Sequence, residues 1–257
     1  LAGVIDRERG FGLAGDSFHL MDRLAELGHE TWFRLGDRDF AQCLHRGLRL
    51  RAGAGLGEVT DELRRGFGLA CRILPMSEEA CPTRVELTDG RRLHFEEYLV
   101  REHAPDCVRA IDLSAAEKAR PTKGLLELLA SARRILVCPS NPVVSIGPIL
   151  ALPGVRDALA AARAPVVAIS PIVGGAPVKG PASQLLRGLG VEVSARGVAG
   201  FYGDLIDGFV FDVRDASQAG DIAALGLATR STDSIMLDRD AATRLASVAL
   251  ALSDDLA

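Results

Sequence analysis

The chain has 257 residues, enough to bury a substantial core in one large α/β domain or in a core that carries an inserted subdomain. Its 30 basic and 34 acidic residues give a net charge of −4, which argues against a general nucleic-acid binder because such proteins need a basic face. No apolar stretch approaches the ~20 residues that span a membrane. The five cysteines are scattered without a Cys-x-x-Cys pair, which favours reduced thiols in the cytoplasm over disulfides or a structural zinc site.

The first part of the chain is mainly helical in pattern. Apolar residues recur at helical spacing in three segments, at about 18–27, 40–48 and 59–67. Residues 71–75 are a candidate strand, and the Asp89-Gly90 pair between two short strand-like runs predicts a β-hairpin. We therefore predict a helical and hairpin region over residues 1–107.

From about residue 108 short apolar runs alternate with helical segments, which is typical of a parallel sheet with helical crossovers. The predicted strands are 108–113, 134–138, 165–169, 191–194 and 208–212, and the predicted helices are 122–132, 154–163, 181–189 and 238–252. The predicted fold class is α/β, with a mainly parallel sheet and helices on both faces over residues 108–257. The region 1–107 would pack on this core or be inserted into it.

Two loops that directly follow buried strands are the best candidates for a binding site. One runs from Pro139 to Pro148 and the other from Ser170 to Pro181. Because ligands of open α/β sheets collect beyond the carboxyl ends of the strands, we expect the two loops to form one crevice. Their small hydroxyls, exposed amides and Lys179 suit a phosphate-bearing ligand. Ordinary turns with a solvated lysine are the simpler interpretation, and no Walker motif is present.

Within these loops, the residue types suggest how a ligand would be held. Prolines on both sides stiffen Ser140 and Asn141, which leaves these residues little entropy to lose on binding. Ser145 is a candidate cap for the helix that follows. The Gly174-Gly175 pair would let the backbone approach a ligand closely.

A third motif, Arg34-Leu35-Gly36-Asp37-Arg38-Asp39, lies next to Trp32. Arginine can hold a phosphate or carboxylate in a fork, aspartate can bind a metal or a hydroxyl, and Trp32 can stack on a planar ring. Spacing alone favours a simpler role, an aspartate helix cap with surface salt bridges. No Ser-His-Asp or Cys-His arrangement is visible, so no catalytic residue is assigned.

Taken together and in this order, the motifs resemble the 2-phospho-L-lactate transferases of deazaflavin coenzyme F420 biosynthesis. The resemblance covers nearly the whole chain. Its segments are Asp16-Ser17-Phe18, Leu35 to Asp39, Leu74-Pro75-Met76-Ser77, Pro139 to Pro142, Ser145 to Pro148, Ser170-Pro171-Ile172 and Lys179-Gly180-Pro181.

The resemblance implies a reaction. A guanosine diphosphate adduct of a small phosphorylated acid gives its phospho-acid unit to the ribityl hydroxyl of the deazaflavin Fo, and GMP is released. The acid is 2-phospholactate, phosphoenolpyruvate or a phosphoglycerate. Magnesium (Mg²⁺) is required, and the implied protein is a homodimer with a Rossmann-like fold. Such phosphoryl chemistry needs positioning and charge stabilisation rather than a covalent nucleophile.

The resemblance also implies site residues. Arg34 matches a basic position that contacts Fo, and Asp37 and Trp32, which lie beside it in the sequence, are expected to contact Fo as well. The guanine nucleotide is expected along Ser140, Asn141, Ser170, Lys179 and Gly180.

One departure from the family pattern concerns the metal. The family begins with a strand, a glycine-rich loop and two aspartate-containing segments that carry the expected magnesium ligands. This chain opens at Leu1-Ala2-Gly3, after those segments, so we expect an upstream segment to be missing and assign no metal ligand. Two other hypotheses stay open. One is a nucleotide-dependent oxidoreductase, weakened by the missing Gly-x-Gly-x-x-Gly, and the other is a non-catalytic nucleotide-binding relative.

Overall fold

The chain divides after Glu79 into two units, which a computed structural model describes over residues 2–257. The first unit contains three helices, α1 His19–Glu26, α2 Asp37–Arg51 and α3 Leu56–Gly66. All three occupy the predicted segments, although α2 begins earlier than its apolar pattern does. Residues 71–75 form no strand, since this segment is largely exposed and has no neighbouring strand to pair with.

The second unit, Ala80–Ala257, begins with an antiparallel sheet. Strands β1 Arg84–Leu87 and β2 Arg92–His94 form the predicted hairpin, and β3 Val108–Asp112 pairs antiparallel with the other side of β1. The strand predicted at 108–113 therefore belongs to this sheet and not to the parallel one. The hairpin accordingly lies in the same unit as the parallel sheet, whereas we predicted it in a region with the first helices, over residues 1–107.

The core of the second unit is a parallel sheet. The chain runs through β4 Ile135–Val137 and β5 Val166–Ile169, a two-residue hairpin (β6 Ile172–Val173 and β7 Ala176–Pro177), then β8 Gly208–Asp212 and β9 Ala228–Thr232. The strand order is β4-β5-β8-β9, with every neighbouring pair parallel. Strands β5 and β8 are buried throughout, which explains why they are unbroken apolar runs in the sequence.

Two strand predictions differ from the structure. Residues 191–194 form no strand, because Ser194 instead caps a helix by accepting a hydrogen bond from the Gly197 amide at 2.8 Å. Strand β9 was not predicted, because its sequence, Ala-Thr-Arg-Ser-Thr, lacks the apolar residues of a buried strand.

Helices cover both faces of the parallel sheet, as predicted. The last helix, Arg239–Leu256, packs Leu245, Ala249 and Leu252 against Val167, Ile169 and Val210 on one face. On the other face, Phe209 and Phe211 are also buried, with ring centroids 6.4 Å apart. The helices of this unit are α4 Ser114–Lys118, α5 Leu125–Ser131, α6 Gly147–Leu150, α7 Val155–Ala160, α8 Ala182–Gly188, α9 Ala195–Tyr202, α10 Ala219–Ala223 and α11 Arg239–Leu256. In the part of the chain that the structure describes, no helix has the length and apolar character to cross a membrane.

Candidate active site

A cavity of about 570 Å³ lies in the second unit, where the carboxyl ends of the parallel strands meet. The loops after β4 and β5 form two of its walls, which is the crevice that the strand-end rule predicts. All five residues expected to bind the nucleotide line it: Ser140, Asn141, Ser170, Lys179 and Gly180. The sequence did not predict its remaining walls, which are residues 234–237 after β9 and the side chains of Phe95 and Leu99.

Asn141 holds the loop after β4 in place. Its Oδ1 accepts hydrogen bonds from the amides of Val143 at 2.9 Å and Val144 at 3.3 Å, and so caps a π-helical turn over Pro142–Ile146. The cap that we expected from Ser145 is therefore supplied by Asn141. The Asn141 Nδ2 group has no hydrogen-bond partner within residues 2–257, which leaves one amide donor available to a ligand.

Two hydroxyls on the same loop are also available. Ser140 and Ser145 both line the cavity, and neither hydroxyl bonds to another described residue. Together with the Asn141 amide they provide three neutral donors on one stiff side of the cavity, which we call the polar wall. Such donors can bind a ligand rich in anionic oxygens, whatever its total charge.

Ser170 plays a structural part in the second wall. It is buried, and its hydroxyl both accepts from the Ile172 amide and donates to the Ile172 carbonyl, each at 3.1 Å. Its own amide donates to the Val210 carbonyl at 2.8 Å. Ser170 thus fixes the start of the loop that carries Lys179 and Gly180 to the cavity.

The Gly174-Gly175 pair does not line the cavity, contrary to the expectation of a close approach to a ligand. Both glycines have positive φ, and they form the turn between β6 and β7. Their amides donate to the buried carboxylate of Asp215 at 2.8 and 3.1 Å. These two bonds fix the turn, so the glycines determine the shape of the loop and do not contact a ligand.

Asp212, at the end of β8, is an anchor that the sequence analysis missed. Its buried carboxylate accepts from Ser234 (amide at 2.8 Å and hydroxyl at 3.0 Å) and from Arg214 (amide at 2.9 Å and Nη1 at 3.0 Å). Burial alone would raise the pKa of Asp212, but these hydrogen bonds outweigh it and hold that pKa below its ordinary value. The sequence signal that could have identified Asp212 is an acidic residue at the end of an otherwise apolar strand.

In the first unit, Asp37 caps a helix other than its own. It accepts from the Ser17 hydroxyl at 2.7 Å and from the amides of His19 at 3.1 Å and Leu20 at 3.0 Å, at the start of α1. The bond from Ser17, aided by the two amides, lowers the pKa of the Asp37 carboxyl. The motif therefore does supply a helix cap, but for α1 and not for the helix that Asp37 itself begins.

Arg34 and Trp32, the other two residues expected to contact Fo, lie in the same unit. Arg34 Nη2 donates to Asp22 of α1 at 2.8 Å, and its guanidinium carbon lies 4.8 Å from the Phe18 ring centroid. The Trp32 ring meets Phe33 edge-on at 5.8 Å. Arg34 and Asp37 are thus both attached to α1, and a role toward a deazaflavin stays a prediction for all three residues.

No group of three or more His, Cys, Asp or Glu side chains within residues 2–257 is arranged to hold a metal ion. The acidic residues that anchor the cavity loops, Asp212 and Asp215, have their carboxylates engaged by protein donors. No magnesium ligand is therefore assigned among the described residues.

Comparisons with known proteins agree with the fold and with the motifs. A family model described as 2-phospho-L-lactate transferase CofD matches residues 1–247. Phosphoenolpyruvate transferase of Kitasatospora aureofaciens is 45% identical over 261 residues, covering 100% of this chain and 81% of that protein. 2-Phospho-L-lactate transferase of Methanosarcina acetivorans is 39% identical over 250 residues, covering 97% of this chain and 80% of that protein.

A solved structure shows the same fold. The crystal structure of a UPF0052 family protein from Bacillus halodurans superposes with a TM-score of 0.61 at 16% identity, over 91% of this chain and 78% of that chain. The fold and the relatives together define a transferase with a Rossmann-like α/β core. The chain belongs to the 2-phospho-L-lactate transferase CofD family, as its motifs predicted. The oxidoreductase and non-catalytic hypotheses are not favoured.

Proposed function

We propose that this chain transfers a phospho-acid unit from a guanosine diphosphate adduct to the ribityl hydroxyl of Fo, releasing GMP, in F420 biosynthesis. The observation that carries the proposal is the family match over residues 1–247, together with a cavity lined by all five predicted nucleotide residues. Phosphoenolpyruvate transferases among the relatives share 41–45% identity with this chain, and 2-phospho-L-lactate transferases share 37–39%. The higher identity favours the phosphoenolpyruvate adduct as donor.

The polar wall supplies what such a transfer requires. The Ser140 and Ser145 hydroxyls and the Asn141 amide would hold phosphate oxygens at fixed positions, and Lys179 on the opposite wall would add positive charge. Fixed donors stabilise charge that develops during transfer without reorganising at the moment of reaction. The Fo hydroxyl attacks directly, so no nucleophilic side chain is needed.

We also propose a requirement for magnesium, a homodimeric assembly and a cytoplasmic location. Because no group of three or more ligating side chains within residues 2–257 is arranged to hold a metal, we assign magnesium no ligand and derive no step through it. The proposed location rests on the five scattered cysteines, which suit a reducing compartment. Activity after chelation and metal replacement tests the first point, and sedimentation tests the assembly.

The direct test is to mix the protein with Fo, magnesium and each of the three candidate adducts, and to separate the products by chromatography with fluorescence detection. We expect a new, more acidic deazaflavin together with GMP, formed fastest from the phosphoenolpyruvate adduct. Nucleotide binding without any product would favour the non-catalytic relative. Reduction of the deazaflavin would favour the oxidoreductase.

A further inference from the structure

The loop after β8 reaches two walls of the cavity without lining it. It begins with Asp212, the last residue of β8, and continues to Asp215. Both aspartates are buried, at 0% and 3% exposure, and none of residues 212–215 lines the cavity. We call residues 212–215 the brace, because each of its two carboxylates is hydrogen-bonded to a different cavity loop.

One end of the brace holds the loop after β5. The Asp215 carboxylate accepts hydrogen bonds from the Gly174 amide at 2.8 Å and the Gly175 amide at 3.1 Å, at the turn between β6 and β7. These strands have two residues each, and so short a hairpin is not stable by itself. The bonds to Asp215 therefore fix the hairpin, and β7 leads directly to Lys179 and Gly180 on the cavity wall.

The other end of the brace holds the loop after β9. The Asp212 carboxylate accepts from the Ser234 amide at 2.8 Å and from the Ser234 hydroxyl at 3.0 Å. Ser234 is buried and lines the cavity together with the three residues that follow it. Loss of Asp212 would leave both donors of Ser234 without their acceptor, so the geometry of this wall depends on Asp212.

The two ends of the brace are closely connected. Only two residues separate Asp212 from Asp215, and they lie in a 3-10 turn, Val213–Gln218, that Asp212 caps by accepting from the Arg214 amide at 2.9 Å. The Gln218 Nε2 group donates to the Asp215 carboxylate at 3.2 Å. Because the turn is short and bonded at both ends, a shift of one carboxylate moves the other, which couples the two cavity walls.

We propose that Asp212 and Asp215 are positioning residues for the transfer, because through the brace they hold the walls after β5 and β9 in one fixed arrangement. Lys179 thereby keeps its place relative to residues 234–237. The inference rests on the proposed function, in which fixed positive charge near the phosphates stabilises the transfer and small displacements of that charge slow it. Neither carboxylate lines the cavity, so both act only through the backbone that they hold.

Amide hydrogen exchange measured by NMR tests the coupling without any ligand. In Asp215→Ala, exchange should rise about threefold or more at the Ser234 amide, which Asp215 does not touch. In Asp212→Asn, exchange should rise in the same way at the Gly174 amide, which Asp212 does not touch. Exchange at the amides of β8 in the same samples corrects for any loss of global stability.

The matched control is Asp207→Ala. Asp207 directly precedes β8, and its carboxylate accepts from the Val166 amide at 2.8 Å, at the opposite edge of the same sheet. The substitution therefore removes the same kind of bond far from the cavity loops. It should leave exchange at Ser234 and Gly174 unchanged.

Calorimetric titration of the whole chain with GDP tests the positioning role. Asp215→Ala should weaken GDP binding about fivefold, although Asp215 does not line the cavity. Lys179→Ala should weaken it too. The double variant should lose less binding free energy than the two single losses combined, because a displaced Lys179 contributes little. Asp207→Ala should bind GDP normally.

Each contrary outcome overturns a stated point. If each carboxylate variant raised exchange only at the wall that it touches, the brace would be two independent anchors and the inference would be wrong. If the losses of GDP affinity were additive, Asp215 would not position Lys179. If wild type did not bind GDP, the proposed function would fail, and hydrogen exchange would still decide whether the walls are coupled.

Discussion

In the first unit, three helices begin at residues whose side chains cannot accept a capping hydrogen bond. Helix α1 follows Phe18, and α2 and α3 follow glycines, and none of these residues makes a side-chain cap. Carboxylates from elsewhere in the chain take over this role. Asp37 serves α1, Asp16 accepts from amides of α2 at 2.9 and 3.4 Å, and Glu78 accepts from an amide of α3 at 3.0 Å.

In the second unit the loop after β4 is capped locally and only in part. The carbonyl oxygen of the Asn141 side chain takes two amides, while its nitrogen and the Ser140 and Ser145 hydroxyls have no partner among residues 2–257. The capping carboxylates of the first unit thus accept their hydrogen bonds from within the fold, whereas Ser140, Asn141 and Ser145 at the cavity retain donors. The donors that remain after folding, more than the motif itself, distinguish a binding loop from a structural turn.

Asp212→Ala should have the largest effect on stability. It removes a buried carboxylate and leaves the Ser234 and Arg214 donors unsatisfied, so we expect the free energy of unfolding to fall by about 3 kcal/mol. Urea denaturation measures this loss. Asp233→Ala is the control and should be nearly neutral, because Asp233 is exposed and makes only a 3.3 Å hydrogen bond to the Ile235 amide and a 3.8 Å surface ion pair with Arg214. A loss of similar size in both variants would show that the burial of Asp212 is not decisive.

The same carboxylate predicts a pH dependence. Its pKa is lower in the folded protein than its ordinary value of 3.8, so its contribution to stability is complete above that value. The contribution is lost as the pH falls through the folded pKa. Asp212→Asn should therefore lose stability relative to wild type at pH 6, and the difference should shrink as the pH falls below 3.8.

Asn141→Asp separates the cap from the donor. The new carboxylate still accepts from the amides of Val143 and Val144, but it lacks the Nδ2 donor and repels an anion. We expect GDP affinity to fall about tenfold while the melting temperature stays unchanged. Asn141→Ala should reduce both. If Asn141→Asp bound GDP normally, the retained donor would have no function and the contrast between the two units would weaken.

Asp16→Ala tests the remote caps. Loss of its bonds to the amides of Arg38 and Asp39 should cost about 1 kcal/mol, within the range measured for helix caps. Nucleotide affinity should not change. Chemical denaturation measures the stability, and calorimetric titration measures the affinity for GDP. A change in GDP affinity without a change in stability would contradict the structural role.

Gly47→Ala should have a smaller effect on stability, and one of opposite sign. Gly47, inside α2, has nothing within 4 Å of an added methyl group, so Gly47→Ala should stabilise the protein by about 0.5–1 kcal/mol. Gly36→Ala is the contrast, because its methyl group would collide with the Asp16 carboxylate and displace it from the α2 amides. Equal thermal shifts in the two variants would argue against the remote cap.

Arg34→Ala should have the smallest effect on stability. Arg34 and Asp22 are each 56% exposed, and a surface pair of this kind contributes less than about 1 kcal/mol. We expect weaker Fo binding with little change in GDP affinity, measured by fluorescence titration and calorimetry. Equal loss of both affinities would show that Arg34 is structural.

The sequence predicted best where one physical rule determines the outcome. Strands β5 and β8 were found because strands buried on both faces are unbroken apolar runs. The two cavity loops were found because they follow such strands. Strand β9 and the cavity wall formed by residues 234–237 were missed together. A polar edge strand gives no apolar signal in the sequence, and without that strand the loop after it could not be assigned to the cavity.

The remote caps could not have been predicted from local spacing. A capping aspartate is recognised in sequence because it stands next to its own helix, but Asp16 and Asp37 serve amides 17 to 23 residues away. The same limit applies to Asp212, whose partner Ser234 is 22 residues distant. Tertiary contacts decide which of a carboxylate's possible donors it meets.

The exchange between Asp16 and Asp37 has a consequence for folding. Asp16 precedes α1 yet completes α2, and Asp37 opens α2 yet completes α1. Helix α1, with eight residues, is too short to persist alone in water. Neither helix start has its capping carboxylate until both segments have met, so we expect the pair to form and melt in a single cooperative step.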